Sequence, residues 1–271
     1  MPSVNTGRKI KNIKVYKDHV TLSFIKGEPL KISKEAFVSS YLYEGKKISQ
    51  TEIKKLKDIT AMSDLLYYAL GIVSKKHLSE KEMLEKLLKK ENNYPVAKQV
   101  IKKLKDNDLL DDRAFMEDLI AWDNERNFGK NKIIKHLKDK GIPETLISKA
   151  SFPLSLERKK AKSLINKLEI KYQRYAYQNK KKHVYQSLLT QGFSCDIAKE
   201  VSEEVKRSND KQELAILKKD YERLKKRYQN KYSGYQLKQK IYNALVTRGY
   251  KYQEIRKIME DFNDEDDYGF N

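Results

Sequence analysis

Apolar residues near the start of the chain alternate with polar ones: Ile13 and Val15, then Val20, Leu22 and Phe24, then Leu30 and Ile32. A period of two is the mark of a strand with one buried face. Lys17-Asp18-His19 and Lys26-Gly27-Glu28-Pro29 stand where turns belong. The pattern predicts a small three-stranded antiparallel meander. Three such strands need a cover for their apolar face, and Ser33 to Leu42 supplies one, with Ala36, Phe37 and Tyr41 at helical spacing. Gly45 ends that helix, and Ser49-Gln-Thr-Glu52 has the capping-box form that opens another.

From about residue 60 every segment has the helical period of 3.6. Met83, Leu84, Leu87 and Leu88 follow a second capping box, Ser79 to Glu82, and Val96, Ala97, Val100, Ile101 and Leu104 follow Pro95, a good first helical residue. Further stripes are Phe115, Leu119 and Trp122; Ile133, Ile134 and Leu137; Ala161 through Leu168 to Tyr172 and Tyr175; and Val184, Tyr185, Leu188 and Leu189. Ile197 to Val205, Leu214 to Tyr228, Leu237 to Leu245 and Ile255 to Phe262 complete the series.

One signature recurs among these helices: leucine, three residues, glycine, then an apolar side chain. It is read at Leu137 to Gly141-Ile142, Leu188 to Gly192-Phe193 and Leu245 to Gly249-Tyr250, with Leu88 to Asn92 as a degenerate copy. Glycine suits the left-handed residue that ends a helix, and the apolar residue after it folds back on the last turn. A spacing near fifty residues is one helix triplet. The expected fold is therefore mainly α, an elongated, curved tandem array of three-helix repeats with a small N-terminal β-meander and helix region. Its divisions fall at 1–60, 61–107, 108–152, 153–208 and 209–262, with an acidic tail over 263–271.

Composition narrows the class. Ten glycines and five prolines in 271 residues are few, which favours long uninterrupted helices. A lone Cys195 can form no internal disulfide and no thiolate metal cage, as expected of a reducing, cytoplasmic setting. No apolar run is long enough for a membrane span, and the first residues lack the core of a secretion signal. The formal charge of +20 is unevenly spread: residues 1–60 carry +7, 61–150 carry +3, 151–260 carry +15 and the last eleven −5. A field of this sign collects polyanions. Eleven of the 18 tyrosines fall within the most basic segment, and rings beside cations suit single-stranded nucleic acid.

Candidates for chemistry are sparse. His19, His77, His136 and His183 lie apart without metal-ligand spacing, and no phosphate-cradling glycine loop occurs. Asp111-Asp112 reads as a helix start and Cys195 as an inert helix-start cysteine. The chain is expected to be no enzyme and to need no cofactor.

Leu109-Leu-Asp-Asp-Arg-Ala-Phe115, followed by Gly129-Lys-Asn-Lys-Ile-Ile-Lys-His-Leu137-Lys-Asp-Lys-Gly141-Ile142, resembles the RecX family of recombination regulators. So do Ala69-Leu-Gly-Ile-Val-Ser and Leu78-Ser-Glu-Lys-Glu-Met-Leu84 with Leu87. The likeness covers about 60 to 262, in the family's longer form, with Met116 and Lys130 standing where a small residue and a proline are usual. It implies a protein that binds the RecA recombinase on single-stranded DNA, lies along the groove of that filament, and reduces ATP hydrolysis and strand exchange. A monomer is expected. The alternative is a general binder of single- or double-stranded DNA with no recombinase partner.

Contact residues come from charge and periodicity rather than from the resemblance. Opposite the stripe Leu214, Leu217, Leu224, Tyr228 stand Lys219, Arg223, Lys226 and Arg227, expected in solvent. With Arg174, Lys180, Lys181 and Lys182 they form the candidate patch, and Tyr175 and Tyr177 are candidates for stacking on bases.

Overall fold

The computed structural model describes residues 7–267, with side chains as far as Glu260. Strands β1 (Arg8–Val15), β2 (Val20–Phe24) and β3 (Leu30–Ile32) form the expected meander; α1 (Lys34–Ser39) follows, and β4 (Lys47–Ile48) adds a fourth strand. The order is β3-β2-β1-β4, every pair antiparallel. A bulge between Ile10 and Asn12 shifts the register, so Ile10 and Ile13 share the inner face although three positions separate them. Ile10 is thereby buried while Val15, expected inside, stays 63% exposed. Tyr41 also departs from expectation: it follows the end of α1 at a left-handed φ of 46° and points outward, leaving Ala36 and Phe37 to cover the sheet.

Ser49 opens α2 (Gln50–Val73) with both halves of its capping box formed. This helix serves two cores: Ile53 and Leu56 close the sheet's apolar face, while Leu65 and Ala69 pack with α3 (Glu80–Lys90) and α4 (Tyr94–Asp106). Next come α5 (Asp112–Glu125), α6 (Lys130–Asp139) and α7 (Glu144–Ile147). The long helix expected through Ala161 to Tyr175 is broken at Leu164 into α8 (Leu154–Ser163) and α9 (Ile165–Lys171). These pack with α10 (Tyr177–Thr190) and α11 (Cys195–Glu203) around Ala161, Val184, Leu188, Phe193 and Val201. A last core joins α12 (Asp210–Tyr228), α13 (Gly234–Thr247) and α14 (Tyr252–Asp267) through Leu217, Tyr221, Leu224, Ile241 and Ile255. α14 runs five residues past the expected helix end at Phe262, and the side chains of the acidic tail lie outside the described residues. None of the described helices is long and apolar enough to cross a membrane.

The recurring signature has a structural meaning. Gly141, Gly192 and Gly249 have φ of 79°, 93° and 82°. The residue after each donates its N–H to the signature leucine: Ile142 to Leu137 at 3.0 Å, Phe193 to Leu188 at 3.1 Å and Tyr250 to Leu245 at 3.3 Å. That six-to-one bond is the Schellman closure. The degenerate copy at Asn92 is not one, because α3 ends at Lys90 and Glu91 turns extended at φ −147°. Two copies escaped the glycine pattern: Leu109 bonds back to Leu104 with Asp108 at φ 54°, and Phe128 back to Asp123 with Asn127 at φ 55°. Aspartate and asparagine tolerate the left-handed region, so these two turns close without the glycine that marks the others in the sequence.

Each glycine turn also receives the start of a helix from the preceding triplet. Ser79, the N-cap of α3, donates its hydroxyl to the Lys140 carbonyl at 2.6 Å. At the next joint the N–H groups of Gly129 and Asn131 reach the carbonyls of Gln191 and Gly192 at 2.8 and 2.9 Å. A Cβ on Gly129 would stand 2.3 Å from the Phe193 nitrogen, and one on Gly192 2.4 Å from the Lys132 nitrogen. The third joint sets Gly249 against Gln178 and Asn179. The chain divides into two compact units, one running to Asp118 with Leu137–Ser148, the other comprising Leu119–His136 and the chain from Lys149 onward.

Candidate nucleic-acid interface

The break after α9 brings the first half of the candidate patch together. Lys171 ends α9, and the turn to α10 carries Tyr172, Arg174 and Tyr175. Tyr175 is 43% exposed, and its ring lies 4.3 Å from that of His183 and 6.0 Å from that of Tyr172. His183 stacks on Tyr172 at 5.1 Å. The Lys171 ammonium stands 5.0 Å from the Tyr172 ring centre. The Tyr172 hydroxyl shares a 2.8 Å hydrogen bond with Ser187, and that bond, with help from Lys171, holds the phenol below its ordinary pKa. Arg174 and Lys182 are exposed beside this cluster. Three clustered rings, of which Tyr172 and His183 are stacked and Tyr175 is tilted against them, offer ring faces to bases while the cations around them offer positive charge to phosphates.

Two expected contact residues leave the patch. Lys180 is buried, 5% exposed, and donates its ammonium to the Lys206 carbonyl at 2.7 Å. Its position one turn into α10 points it into the protein, so it staples a loop instead of meeting a ligand. Lys181 is largely covered and is ion-paired with Glu203. Tyr177 is half-buried against the α8–α11 core with the Lys181 ammonium over its ring at 5.7 Å, so it packs rather than standing free to stack. Tyr175 remains the accessible ring.

The α12 half faces solvent as expected. Lys219, Arg223, Lys226 and Arg227 are all exposed. Arg223 has only a loose pairing with Asp220 at 3.6 Å, because Asp220 is already held by Arg248 at 2.7 Å and by the Tyr250 hydroxyl at 3.0 Å. The stripe is offset from its expected line: Leu214 is 37% exposed, and Glu213 occupies the inner position. Ala176 packs into the core of α12–α14, so the Arg174–Tyr175 turn and α12 belong to one packed region.

Sequence reading passed over two clusters. Arg227 lies 5.6 Å over Tyr228, Tyr228 meets Tyr232 at 6.2 Å, and Lys240 stands 5.4 Å from Tyr232, so the α12–α13 turn repeats the mixture of rings and cations. The spacing of Tyr228, Tyr232 and Tyr235 was the available signal, but it reads equally as a packing stripe. The other cluster surrounds Trp122, expected in the α5 stripe but 54% exposed, while Met116 and Asp123 take the inner positions. Arg126 covers Trp122 at 4.4 Å and Phe128 at 4.8 Å, and Lys132 lies 3.6 Å from the Phe128 ring. Beneath them fully buried Asp123 bonds His136 at 2.8 Å.

Among the described residues no group of three or more His, Cys, Asp or Glu is placed to hold a metal. A cleft lined by Leu70, Val73, His77, Leu110, Ala114 and Phe115 contains none of the candidate residues.

Comparison with known proteins adds a length-wide likeness. The family description "RecX, third three-helix domain" matches residues 210–259. The Regulatory protein RecX of Streptococcus equi subsp. equi is 27% identical over 260 residues, covering 94% of this chain and 99% of that protein. Its counterpart in Streptococcus agalactiae serotype III is 28% identical over 261 residues, with the same coverage. Among solved structures, one described as regulatory protein RecX superposes with a TM-score of 0.62 at 22% identity, covering 73% of this chain and all of that one, a likeness of fold. RecX from Lactobacillus salivarius gives 0.50 at 29% identity over 54% of this chain and 96% of that one.

Proposed function

Because the chain belongs to the RecX family, we propose that it is a non-enzymatic regulator that binds RecA-coated single-stranded DNA and lowers the filament's ATP hydrolysis and strand exchange. The observation that carries this is the similarity running from end to end of proteins named as RecX regulators. The exposed ring-and-cation surfaces support it: Arg174, Tyr175 and Lys182 at the α9–α10 turn, and Lys219, Arg223, Lys226 and Arg227 on α12. A basic face of this kind approaches a nucleoprotein filament through its phosphates. In this reading the helical body acts as four triplets, 61–107, 108–152, 153–208 and 209–262, and the protein works as a monomer in the cytoplasm.

The same surfaces favour a second reading, a binder of single-stranded DNA without a recombinase partner. One titration separates them. Added to RecA-coated single-stranded DNA, the protein should slow ATP hydrolysis at concentrations well below that of RecA. Slowing only once enough protein is present to sequester the bare DNA would replace the first reading by the second.

A further inference from the structure

The N-terminal sheet has one face committed to the core and one that none of the described residues packs over. Outside the bulge at Lys11, the register assigns paired residues to a side. Ile10, Ile13, Val20, Leu22, Phe24, Ile32 and Ile48 point in, so Lys9, Asn12, Lys14, Thr21, Ser23, Lys31 and Lys47 point out. The four strands contain six basic residues, Arg8, Lys9, Lys11, Lys14, Lys31 and Lys47, and no acid. Lys9 and Lys47 are direct cross-strand partners. Like charges set opposite each other destabilise a sheet, so this pair is kept against a folding cost.

Lys14, Thr21 and Lys31 form a continuous row across three strands. With strands ~4.8 Å apart, the two lysines of that row stand about 10 Å from each other. Two carboxylates touch the sheet's margin. Asp18, in the β1–β2 turn, bonds His19 at 2.7 Å and lies 3.9 Å from Lys31; Glu44 accepts the Ile13 N–H at 3.2 Å. Neither neutralises the middle of the face. Lys9, Lys11, Lys14 and Lys47 are exposed, and no side-chain ion pair or hydrogen bond engages them among the described residues.

We propose that this outer sheet face binds the phosphate backbone of duplex nucleic acid, without sequence preference. Lysines interleaved with Asn12, Thr21 and Ser23 are the side chains that contact phosphates, and they carry no base readout. Its one ring, Tyr16, stands at the β1–β2 turn with a face already stacked on His19 at 4.7 Å, and the row Lys14, Thr21, Lys31 carries none; that separates the face from the Tyr172–Tyr175–His183 cluster and argues for a duplex, whose bases are already stacked. Its exposed apolar residue, Ile25, lies opposite Lys9 just past the end of β2 and not among Lys14, Thr21 and Lys31, so the middle of the face lacks the apolar anchor a protein partner would need at the centre of an interface. The site does not depend on action at a filament.

The test uses the full-length protein with Lys9, Lys14, Lys31 and Lys47 all changed to Gln. Affinity for bare duplex DNA is measured against salt concentration. Loss of four phosphate contacts at ~0.9 each lowers the log-log slope by roughly 3 to 4. A matched variant at exposed Lys86, Lys89, Lys102 and Lys103, with the same change in net charge, should keep nearly the parent slope. An unchanged slope in the sheet variant, or an equal fall in both, overturns the proposal. Removing the Lys9–Lys47 repulsion means the sheet variant should melt no lower than the parent, so a lost slope reads lost contacts. Filament inhibition assayed on the same proteins tests the regulator reading separately.

Discussion

Glu52 and Asp112 both sit at helix starts, yet their surroundings push them in opposite directions. Glu52 accepts the Ser49 N–H at 2.7 Å and the Ser49 hydroxyl at 2.8 Å, and these bonds hold its pKa below the ordinary value. Its folded form binds fewer protons than the unfolded chain, so the cap contributes fully above the unfolded pKa and is lost as pH falls through the folded one. Asp112 is buried at the start of α5 and accepts the Glu80 N–H of α3 at 2.8 Å; burial, assisted by the Glu80 charge, raises its pKa. Its folded form binds more protons, so stability declines as pH rises from the ordinary carboxylate value through the raised one. Asp112→Asn keeps an oxygen for Glu80 and discards the buried charge. In chemical denaturation it should match the parent in acid and equal or exceed it at neutral pH, whereas Asp112→Ala should cost about 1–2 kcal/mol. The Asp111-Asp112 pair was legible as a helix start: the Asp111 carboxylate accepts the Arg113 N–H at 2.7 Å. That Asp112 caps a second helix 32 residues earlier was not, because nothing local in the sequence encodes that proximity.

At the scale of elements, the joints between triplets decide which glycines matter. Gly192 and Gly129 face backbone atoms closer than any Cβ tolerates, whereas Gly45, at φ 91°, has nothing within 4 Å of a Cβ. Gly192→Ala should therefore lose roughly 3 kcal/mol or more, and Gly45→Ala only the backbone strain of about 1–2 kcal/mol; thermal melts of the two variants check the ranking. Beside the same joint, Lys160 and Glu157 form a 2.6 Å ion pair with both side chains 4% exposed. Lys160 also donates to Asn124 and to the Phe128 carbonyl at 2.7 Å each, while Glu157 accepts the Lys130 N–H at 2.9 Å. Breaking such a pair leaves a buried charge, so Lys160→Met should cost about 3–5 kcal/mol, and adding Glu157→Gln should recover part of the loss. Equal melting points for the single and double variants would count against coupling. Nothing local in the sequence marks Glu157 and Lys160 as buried, because a helical wheel shows which side a residue takes but not what the next helix brings to it.

At the scale of the molecule, the charge of +20 makes polyanion binding salt-dependent. Changing Arg174, Lys182, Arg223 and Lys226 together to Ala should lower the salt slope for single-stranded DNA by roughly 3, at ~0.7 per contact. Lys180→Ala should instead lower stability, since that ammonium anchors the Lys206 carbonyl. A Lys180→Ala protein that melts like the parent but binds DNA with a lower slope would return the residue to the interface.

Helical periodicity, capping boxes and the leucine-to-glycine signature determined most of the succession of helices, since each depends on bonds within a few residues; the break at Leu164 and the extended end of α3 at Glu91 were exceptions. The same holds for the placing of the basic surplus, which is a count. Tertiary structure decided the rest. It turned Lys180 inward and Trp122 outward, added β4 as an edge strand, and paired Lys9 with Lys47. It also gave the glycine turns a second duty as seats for helix starts tens of residues away. Those outcomes hang on contacts between segments distant in the chain, and a local pattern carries the identity of a face but not of the neighbour that covers it.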